Sequence, residues 1–269
     1  MVKILQILRL IFKIKFVNFL LKISNKIYLE GNFSNWQEAL KVSKTNYSSK
    51  KIINKVKYNF SRSLKSDNHY ERDGVLLKKN NFFEDNIIGH YKKYYSHNNK
   101  IFRILDVGGG TGSIFFKNQE FLKKNTKIKW VVFDQSQIVS FVKKAIKNEQ
   151  IKFVSSLSIK NKNKFQMILL QSSLQYFSKP YNLLAKLIKF NPKFIIIDET
   201  PLTMSQFDEI KIQVNPKKIY PIDYPLHIFS KKRIIKYLEK KNYKLFYEKD
   251  CPTGVGGYSY KCIIFIKKK

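Results

Sequence analysis

The chain has 269 residues, 43% hydrophobic and 15% aromatic, enough apolar material for one large α/β domain or a domain with a cap, which excludes wholesale disorder, collagen and coiled coil. Two cysteines, Cys251 and Cys262, are too few for a disulfide framework or a four-cysteine zinc site, and suit a reduced, cytoplasmic chain. The formal net charge of +33 invites a nucleic-acid or membrane reading. Only five cations are Arg, however (Arg9, Arg62, Arg72, Arg103 and Arg233), whereas nucleic-acid readers lean on the planar Arg fork. Abundant Lys, Asn and Ile together fit a coding bias toward A/T-rich codons, and nucleic acid is not the expected partner.

In chain order, residues 1–29 come first, an apolar stretch broken by Lys3, Arg9, Lys13, Lys15, Lys22 and Lys26. It has no uninterrupted run of the ~20 apolar residues that span a bilayer and no small-residue cleavage site after an apolar region. The polar phase jumps between Lys13 and Lys15, so the segment reads as two short helices or one bent one. It is either a basic, interfacial membrane contact at the inner face or a helix packed on the body of the protein. Residues 30–100 carry no strand-like alternation and read as a helical cap, with helices over 35–42, 46–56 and 87–95 and an N-cap at Ser34 facing Glu38. Lys/Asn-rich tracts at 78–81, 97–100 and 160–164 read as turns.

From residue 101 strands and helices alternate. Strands are expected over 101–107, 128–134, 151–155, 165–171, 193–198, 243–249 and 258–267, and helices over 113–124, 137–148, 180–190 and 231–241. Repeated β-α-β order predicts an α/β fold for residues 101–269, a doubly wound, Rossmann-like sheet of seven strands behind the N-terminal helical cap. Ligands of such sheets lie at the C-terminal strand ends. Residues 201–229, long and proline-rich, read as a connection that walls an acceptor pocket.

The sharpest motif is Asp106-Val107-Gly108-Gly109-Gly110-Thr111-Gly112-Ser113 between a predicted strand and a predicted helix. The spacing Asp-x-Gly-x-Gly-x-Gly lets backbone approach a ligand closely. It is neither the dinucleotide Gly-x-Gly-x-x-Gly, since Ser113 stands in the last place, nor a P-loop, which needs Gly-Lys-Ser/Thr. A second acid, Asp134, ends the next strand, where a carboxylate can accept both hydroxyls of a ribose. Loop, strand context and Asp134 together resemble the class I S-adenosylmethionine-dependent methyltransferases. Four histidines and two cysteines show no metal-ligand spacing.

From Phe33 to about Cys251 the chain also resembles a bacterial methyltransferase family often encoded near surface-polysaccharide (lipopolysaccharide, O-antigen) biosynthesis functions. The matching residues are Phe33-Ser34-Asn35-Trp36 with Ala39, Tyr70-Glu71-Arg72-Asp73, the glycine loop, Trp130-Val131-Val132, Gln171-Ser172-Ser173-Leu174-Gln175-Tyr176, Thr200-Pro201, Tyr224-Pro225 and Ile228-Phe229. Asp134 stands where Glu is more usual and Glu199 where Arg is expected. The resemblance implies S-adenosylmethionine as cofactor and a saccharide hydroxyl or another small molecule as methyl acceptor. It implies that Asp106 anchors the methionine amino end and that Gly108, Gly110 and Gly112 admit the methionine part and ribose. Ser155, Ser156 and Leu157 border the adenine, and Gln171 and Ser172 reach the methionine end. An alcohol acceptor needs its proton removed, for which Asp198, Glu199 and His227 are the candidates, Asp198 favoured by its place at a strand end and His227 preferred beside it. An RNA methyltransferase, or a non-catalytic nucleotide-binding scaffold with this fold, is the alternative.

Overall fold

A computed structural model describes residues 14–17, 19–22, 26–43, 49–79, 101–124, 127–158, 165–216, 222–252 and 254–268. The helix expected over 87–95, the tracts 97–100 and 160–164, and the first thirteen residues lie outside the described residues. The described chain forms two compact units that interleave in sequence. One comprises Ser48–Ser173 with Tyr181–Ile196; the other draws on Met1–Tyr47, Leu174–Pro180 and Ile197–Lys269.

The first unit is built on β4 (Phe102–Val107), β5 (Ile128–Phe133), β6 (Ile151–Val154) and β7 (Met167–Gln171). They are parallel, in the order β7-β4-β5-β6. The chain therefore winds outward from β4 through β5 to β6, then returns to the other side of β4 at β7. That reversal is the topological switch point at which open α/β sheets take ligands. The strands are near-continuous apolar runs because parallel strands are covered on both faces. Phe102, Ile104, Leu105, Val107, Trp130 and Val132 are all buried.

Helix α2 (Lys50–Ser63) and helix α5 (Ser136–Ala145) pack together through Phe60 and Phe141, ring centroids 6.0 Å apart. Phe60 also meets Phe116, and Phe115 meets Trp130 edge-on at 6.1 Å. The helix expected over 113–124 is instead two five-residue pieces, α3 (Ser113–Lys117) and α4 (Gln119–Lys123). Asn118 breaks it: its buried side chain donates to the Ile114 carbonyl at 2.8 Å and so competes with the helical ladder.

The cap region departs from the sequence expectation. Residues 30–100 contain strands: β1 (Tyr28–Phe33) and a hairpin of β2 (His69–Arg72) and β3 (Val75–Lys78). The hairpin turn is Asp73-Gly74, both with positive φ (50° and 73°), the geometry of a two-residue type I′ connection, for which Asp-Gly is a favoured pair. The helix expected over 46–56 begins later and runs through Ser63. The cap of α1 (Trp36–Val42) is Asn35, whose side chain accepts from Glu38 N–H at 2.9 Å. Ser34 closes the reciprocal half, donating from backbone N and Oγ to Glu38 Oε2 at 3.0 and 2.6 Å.

In the second unit β1 runs antiparallel to β9 (Glu209–Val214), β9 antiparallel to β10 (Asp223–Ser230), and β10 parallel to the end of β8 (Phe194–Thr203). β11 (Tyr243–Asp250) and β12 (Ser259–Lys267) form an antiparallel pair with β12 beside β8. All seven expected strands are present, and β1, β9 and β10 exceed them. The expected connection over 201–229 is mostly strand: β8 continues to Thr203, and β9 and β10 follow. The prolines disguise this, because each removes a ladder donor. Pro225 nonetheless sits inside β10, opposite Ile212, and Glu209-Ile210-Lys211-Ile212-Gln213-Val214 alternates as a half-buried strand does.

Leu29 of β1 joins Leu226, Ile228, Tyr258 and Tyr260 in one buried cluster, against which Ile14 also packs. The helical residues 14–17 and 19–22 thus have an inner side at Ile14. They also have an outer side of Phe16, Phe19 and Leu20, which are 53%, 60% and 47% exposed. No helix among the described residues is long and apolar enough to cross a membrane. Because Leu29 belongs to the core, Leu29→Ala should lower unfolding stability by about 2–4 kcal/mol, measured by urea denaturation. A loss under about 0.5 kcal/mol would place β1 outside the cooperative core.

Candidate functional site

The parallel ladder brings most of the expected cofactor residues to one edge. Val107 pairs with Phe133, and Phe133 with Val154. Gly108 N–H continues the ladder to the Phe133 carbonyl at 2.8 Å, and Asp134 N–H continues it to Val154 at 3.1 Å. Asp106 pairs with Leu169, which puts Gln171 level with Gly108. Gly108, Gly110, Gly112, Asp134, Ser156, Gln171 and Ser172 therefore all lie at or just beyond the C-terminal ends of adjacent strands. Ser156, beyond β6, is exposed.

The four glycines of the loop do different things. A Cβ on Gly108 would lie 2.7 Å from Ser173 Cβ, and one on Gly112 would lie 2.9 Å from Ile151 Cδ1. Both are glycine because protein atoms crowd them, and both have positive φ (72° and 85°). A Cβ on Gly109 would lie 2.5 Å from the Asp106 carboxylate. Gly110 differs: its φ is +59° and a Cβ there would meet nothing within 4 Å. Crowding by the fold explains three glycines, and Gly110 faces open space.

Three acids gather at the loop, Asp106 and Glu71 buried and Asp134 partly covered. Asp106, 1% exposed, lies beneath Gly109 and accepts from the Trp130 indole N–H at 3.0 Å. Burial pushes its carboxyl up to about 7, opposed by the Trp130 hydrogen bond. Asp134 accepts from Gly110 N–H at 2.8 Å with Oδ2 and from Gln135 N–H at 2.7 Å with Oδ1. Burial raises its pKa, and these two bonds oppose the rise. Glu71, 3% exposed, accepts from the Thr111 hydroxyl and, at 2.6 Å, from Gly74 N–H. Burial pushes Glu71 up to about 7 against those bonds. Ser173 Oγ donates to the Val107 carbonyl at 2.7 Å. Ser172, a non-glycine at φ 48°, carries backbone strain of the kind that gathers at functional sites.

The two preferred proton-accepting candidates fall in the other unit, with different surroundings. Asp198 is buried on β8 and accepts from Glu199 N–H at 2.9 Å, with the Cys251 thiol 3.6 Å away. Burial, with Asp198 adding to it, pushes that thiol up to about 12. His227, 7% exposed, stacks on Trp36 at 4.9 Å and 14° and on Phe229 at 5.7 Å and 21°. Burial lowers its pKa below the ordinary value, and its Nε2 has no hydrogen-bond partner. Nearby, Gln213 accepts from Tyr176 at 3.1 Å and donates to Tyr224 at 2.9 Å. Among the described residues, no group of three His, Cys, Asp or Glu could hold a metal ion.

Sequence reasoning passed over Glu71, Thr111, Gly109 and the indole of Trp130 as loop-holding groups. Their signals were Asp73-Gly74, a hairpin turn placing Glu71 in a strand, and the lone Trp inside an apolar strand, whose N–H needs a partner when buried.

No family model matches the chain, and no curated protein matches it. Solved structures do. One is a 1,6-didemethyltoxoflavin-N1-methyltransferase of Burkholderia thailandensis, with bound 1,6-didemethyltoxoflavin and S-adenosylhomocysteine. It is 13% identical over 70% of this chain and 80% of its own, with a TM-score of 0.46. Another is a SAM-dependent methyltransferase of Methanosarcina mazei, 17% identical over 68% and 97%, TM-score 0.49. A third, described as a pericyclic reaction enzyme, is 11% identical over 71% of this chain and 50% of its own, TM-score 0.49.

The buried acids set a pH dependence. Glu71 and Asp106 each hold a proton more tightly folded than unfolded, so the folding stability this contributes is fully present at low pH. It is lost as pH rises from about 4, the unfolded carboxylate range, to about 7. The difference in urea midpoint between wild type and Glu71→Gln, or between wild type and Asp106→Asn, should therefore shift against wild type between pH 5 and pH 8. Parallel pH profiles for wild type and both variants would count against protonation of these two acids.

Proposed function

We propose that the chain is a methyltransferase that takes its methyl group from S-adenosylmethionine. The observation that carries this reading is Gly110. It is the one loop glycine whose missing side chain leaves open space, and it sits at the β4/β7 switch point with its N–H on Asp134. A nucleoside ligand fits there: Gly110 admits it closely, and Asp134, only partly covered, keeps lone pairs for a ribose diol beside its two backbone bonds.

The cofactor supplies a carbon activated by sulfonium. This chain's share is to hold it, orient the acceptor in line and receive a proton. For a hydroxyl acceptor, the carbon–sulfur bond breaks as the carbon–oxygen bond forms, and the hydroxyl proton passes to a base. Asp198 and His227 are the proposed bases. Burial lowers the His227 pKa and so favours the neutral imidazole, one of whose ring nitrogens is an acceptor.

The proposed acceptor is a hydroxyl of a saccharide or another small molecule, supported by the resemblance to the polysaccharide-associated family. The proposed place is cytoplasmic, at the inner membrane surface. Phe16, Phe19 and Leu20 face outward beside Lys15 and Lys22, a combination suited to anionic lipid. Phe16→Glu with Phe19→Glu should abolish flotation with phosphatidylglycerol vesicles. Deleting residues 1–29 is the poorer test, because it removes Leu29 from the core. Mass spectrometry of surface glycans with and without the gene should find a methyl difference of about 14 daltons. No difference would remove the saccharide acceptor.

Cofactor binding is tested first, by calorimetry with S-adenosylmethionine. Left-handed backbone costs a non-glycine residue about 1–2 kcal/mol, roughly five- to thirtyfold. Gly110→Val should exceed that, weakening binding more than about a hundredfold, because the branched side chain fills the ligand's space. Asp134→Ala should weaken binding by about ten- to a hundredfold. It should also cost stability, up to about 1–3 kcal/mol, since two partly buried backbone N–H groups lose their acceptor. Wild-type affinity in both variants would sink the assignment.

A further inference from the structure

Helices α2 and α5 of the first unit bound a groove of about 610 Å³, within the size range of small-molecule sites. No residue of the glycine loop lines it. Helical period decides which side chains do. Lys50, Ile53 and Lys57 stand at i, i+3 and i+7 on one face of α2. Ser136, Ser140 and Lys144 stand at i, i+4 and i+8 on one face of α5. Ile53, buried, and Phe141, half-buried, supply the apolar part of the lining. Every other lining group carries a proton to donate.

Charge sets this groove apart from the rest of a lysine-rich chain. Lys123, Lys211, Lys231 and Lys261 each lie 2.7–3.5 Å from a carboxylate oxygen. Lys50, Lys57 and Lys144 form no ion pair among the described residues, and no acid lines the groove. Lys57 is half-buried, with Nζ 5.4 Å from the centroid of the Phe141 ring. Its ammonium is thus held at the wall by an aromatic face rather than by an anion. Three cations in one concavity repel one another, and a cleft lined by one sign of charge focuses its field on a counter-ion.

We propose that the α2–α5 groove binds a small molecule carrying two or more phosphate groups. One phosphate monoester brings about 1.5–2 negative charges at neutral pH, fewer than the three ammonium groups it would meet. A diphosphate comes closer to balance. Lys50 and Lys57 lie about 10 Å apart along the helix axis, and Lys144 faces them from the second helix, so the cations are spread as linked phosphates are. The bounded volume favours a small ligand over a nucleic acid. Lysine ammonium groups are point charges that take phosphate oxygens in any orientation. The site stands on the groove alone and goes beyond the S-adenosylmethionine reading.

Calorimetry with inorganic pyrophosphate tests it. Wild type should bind at one site, more weakly as salt is raised. Lys57→Gln with Lys144→Gln should weaken binding by about tenfold or more, since two charge-assisted contacts are lost. Lys186→Gln with Lys189→Gln removes the same charge from two exposed positions outside the groove and should stay within about twofold. Equal losses in the two double variants, or no binding by wild type, overturn the assignment. A single-stranded RNA of about 20 nucleotides is the competing occupant. RNA that displaces pyrophosphate and loses affinity in the groove variant alone makes the groove a nucleic-acid surface and overturns the small ligand. The groove variant should keep wild-type affinity for S-adenosylmethionine, so failure of the cofactor reading leaves the groove assignment standing. A loss there as large as the loss of pyrophosphate merges the groove with the loop site and overturns a separate one.

Discussion

A carboxylate sits in the apolar interior of the first unit, beneath the turn that the proposed ligand approaches. Asp106 is tolerated there because the indole of Trp130 gives it a hydrogen bond and because Gly109 has no side chain to collide with it. Much of the site follows from this arrangement. The loop takes the path that Asp106 leaves open, Trp130 is fixed at the centre of β5, and Phe115 of α3 packs on the Trp130 ring. Burying an ionised group without partners is costly, and the raised carboxyl is the sign that part of this cost is relieved by holding a proton.

The loop is held from three directions, by Asp106 beneath, Asp134 beside and Glu71 above through Thr111. Asp134 and Glu71 fasten it by hydrogen bonds from Gly110 N–H and the Thr111 hydroxyl, and Asp106, itself bonded to Trp130, fills the space beneath Gly109. A loop fixed in this way reaches its ligand with little ordering left to do, which is how a binding site avoids the entropy cost of closing around its ligand. Three acids thus gather at the loop of a chain whose net charge is +33, so the overall charge does not describe the surroundings of the candidate site.

The second unit works by different means. Its interior carries a polar chain, Tyr176 to Gln213 to Tyr224, with Asn215 accepting from Gln213 and donating to the Ile222 carbonyl. A satisfied buried network of this kind specifies one register, since a slip of one residue would strand several polar groups. His227 lies between Trp36 and Phe229, neutral by burial, in the same β10 that carries Leu226 and Ile228 into the core.

What the sequence determined by itself was local. The apolar runs at 101–107, 128–134 and 165–171, each ended by glycine or a polar residue, located the strands. The glycine spacing located the loop, and Asp134 at its strand end located the second acid. These features are legible because a strand's burial pattern and a turn's demand for positive φ depend on neighbouring residues. Tertiary structure decided what depends on partners far along the chain. Glu71 meets Thr111 across forty positions, and β1 finds β9 with Lys211 reaching the Gly31 carbonyl across 180. The helix expected over 113–124 broke because Asn118 is buried and turns its side chain onto the backbone, and burial is settled only when the rest of the fold packs around it. Prolines hid β10 for a related reason: a missing donor reads as loop until a pairing partner makes that position tolerable. Which loop glycine faces open space was also beyond the sequence, since Gly108, Gly109, Gly110 and Gly112 are one residue type there, and only the atoms packed around each of them tell crowding from open space.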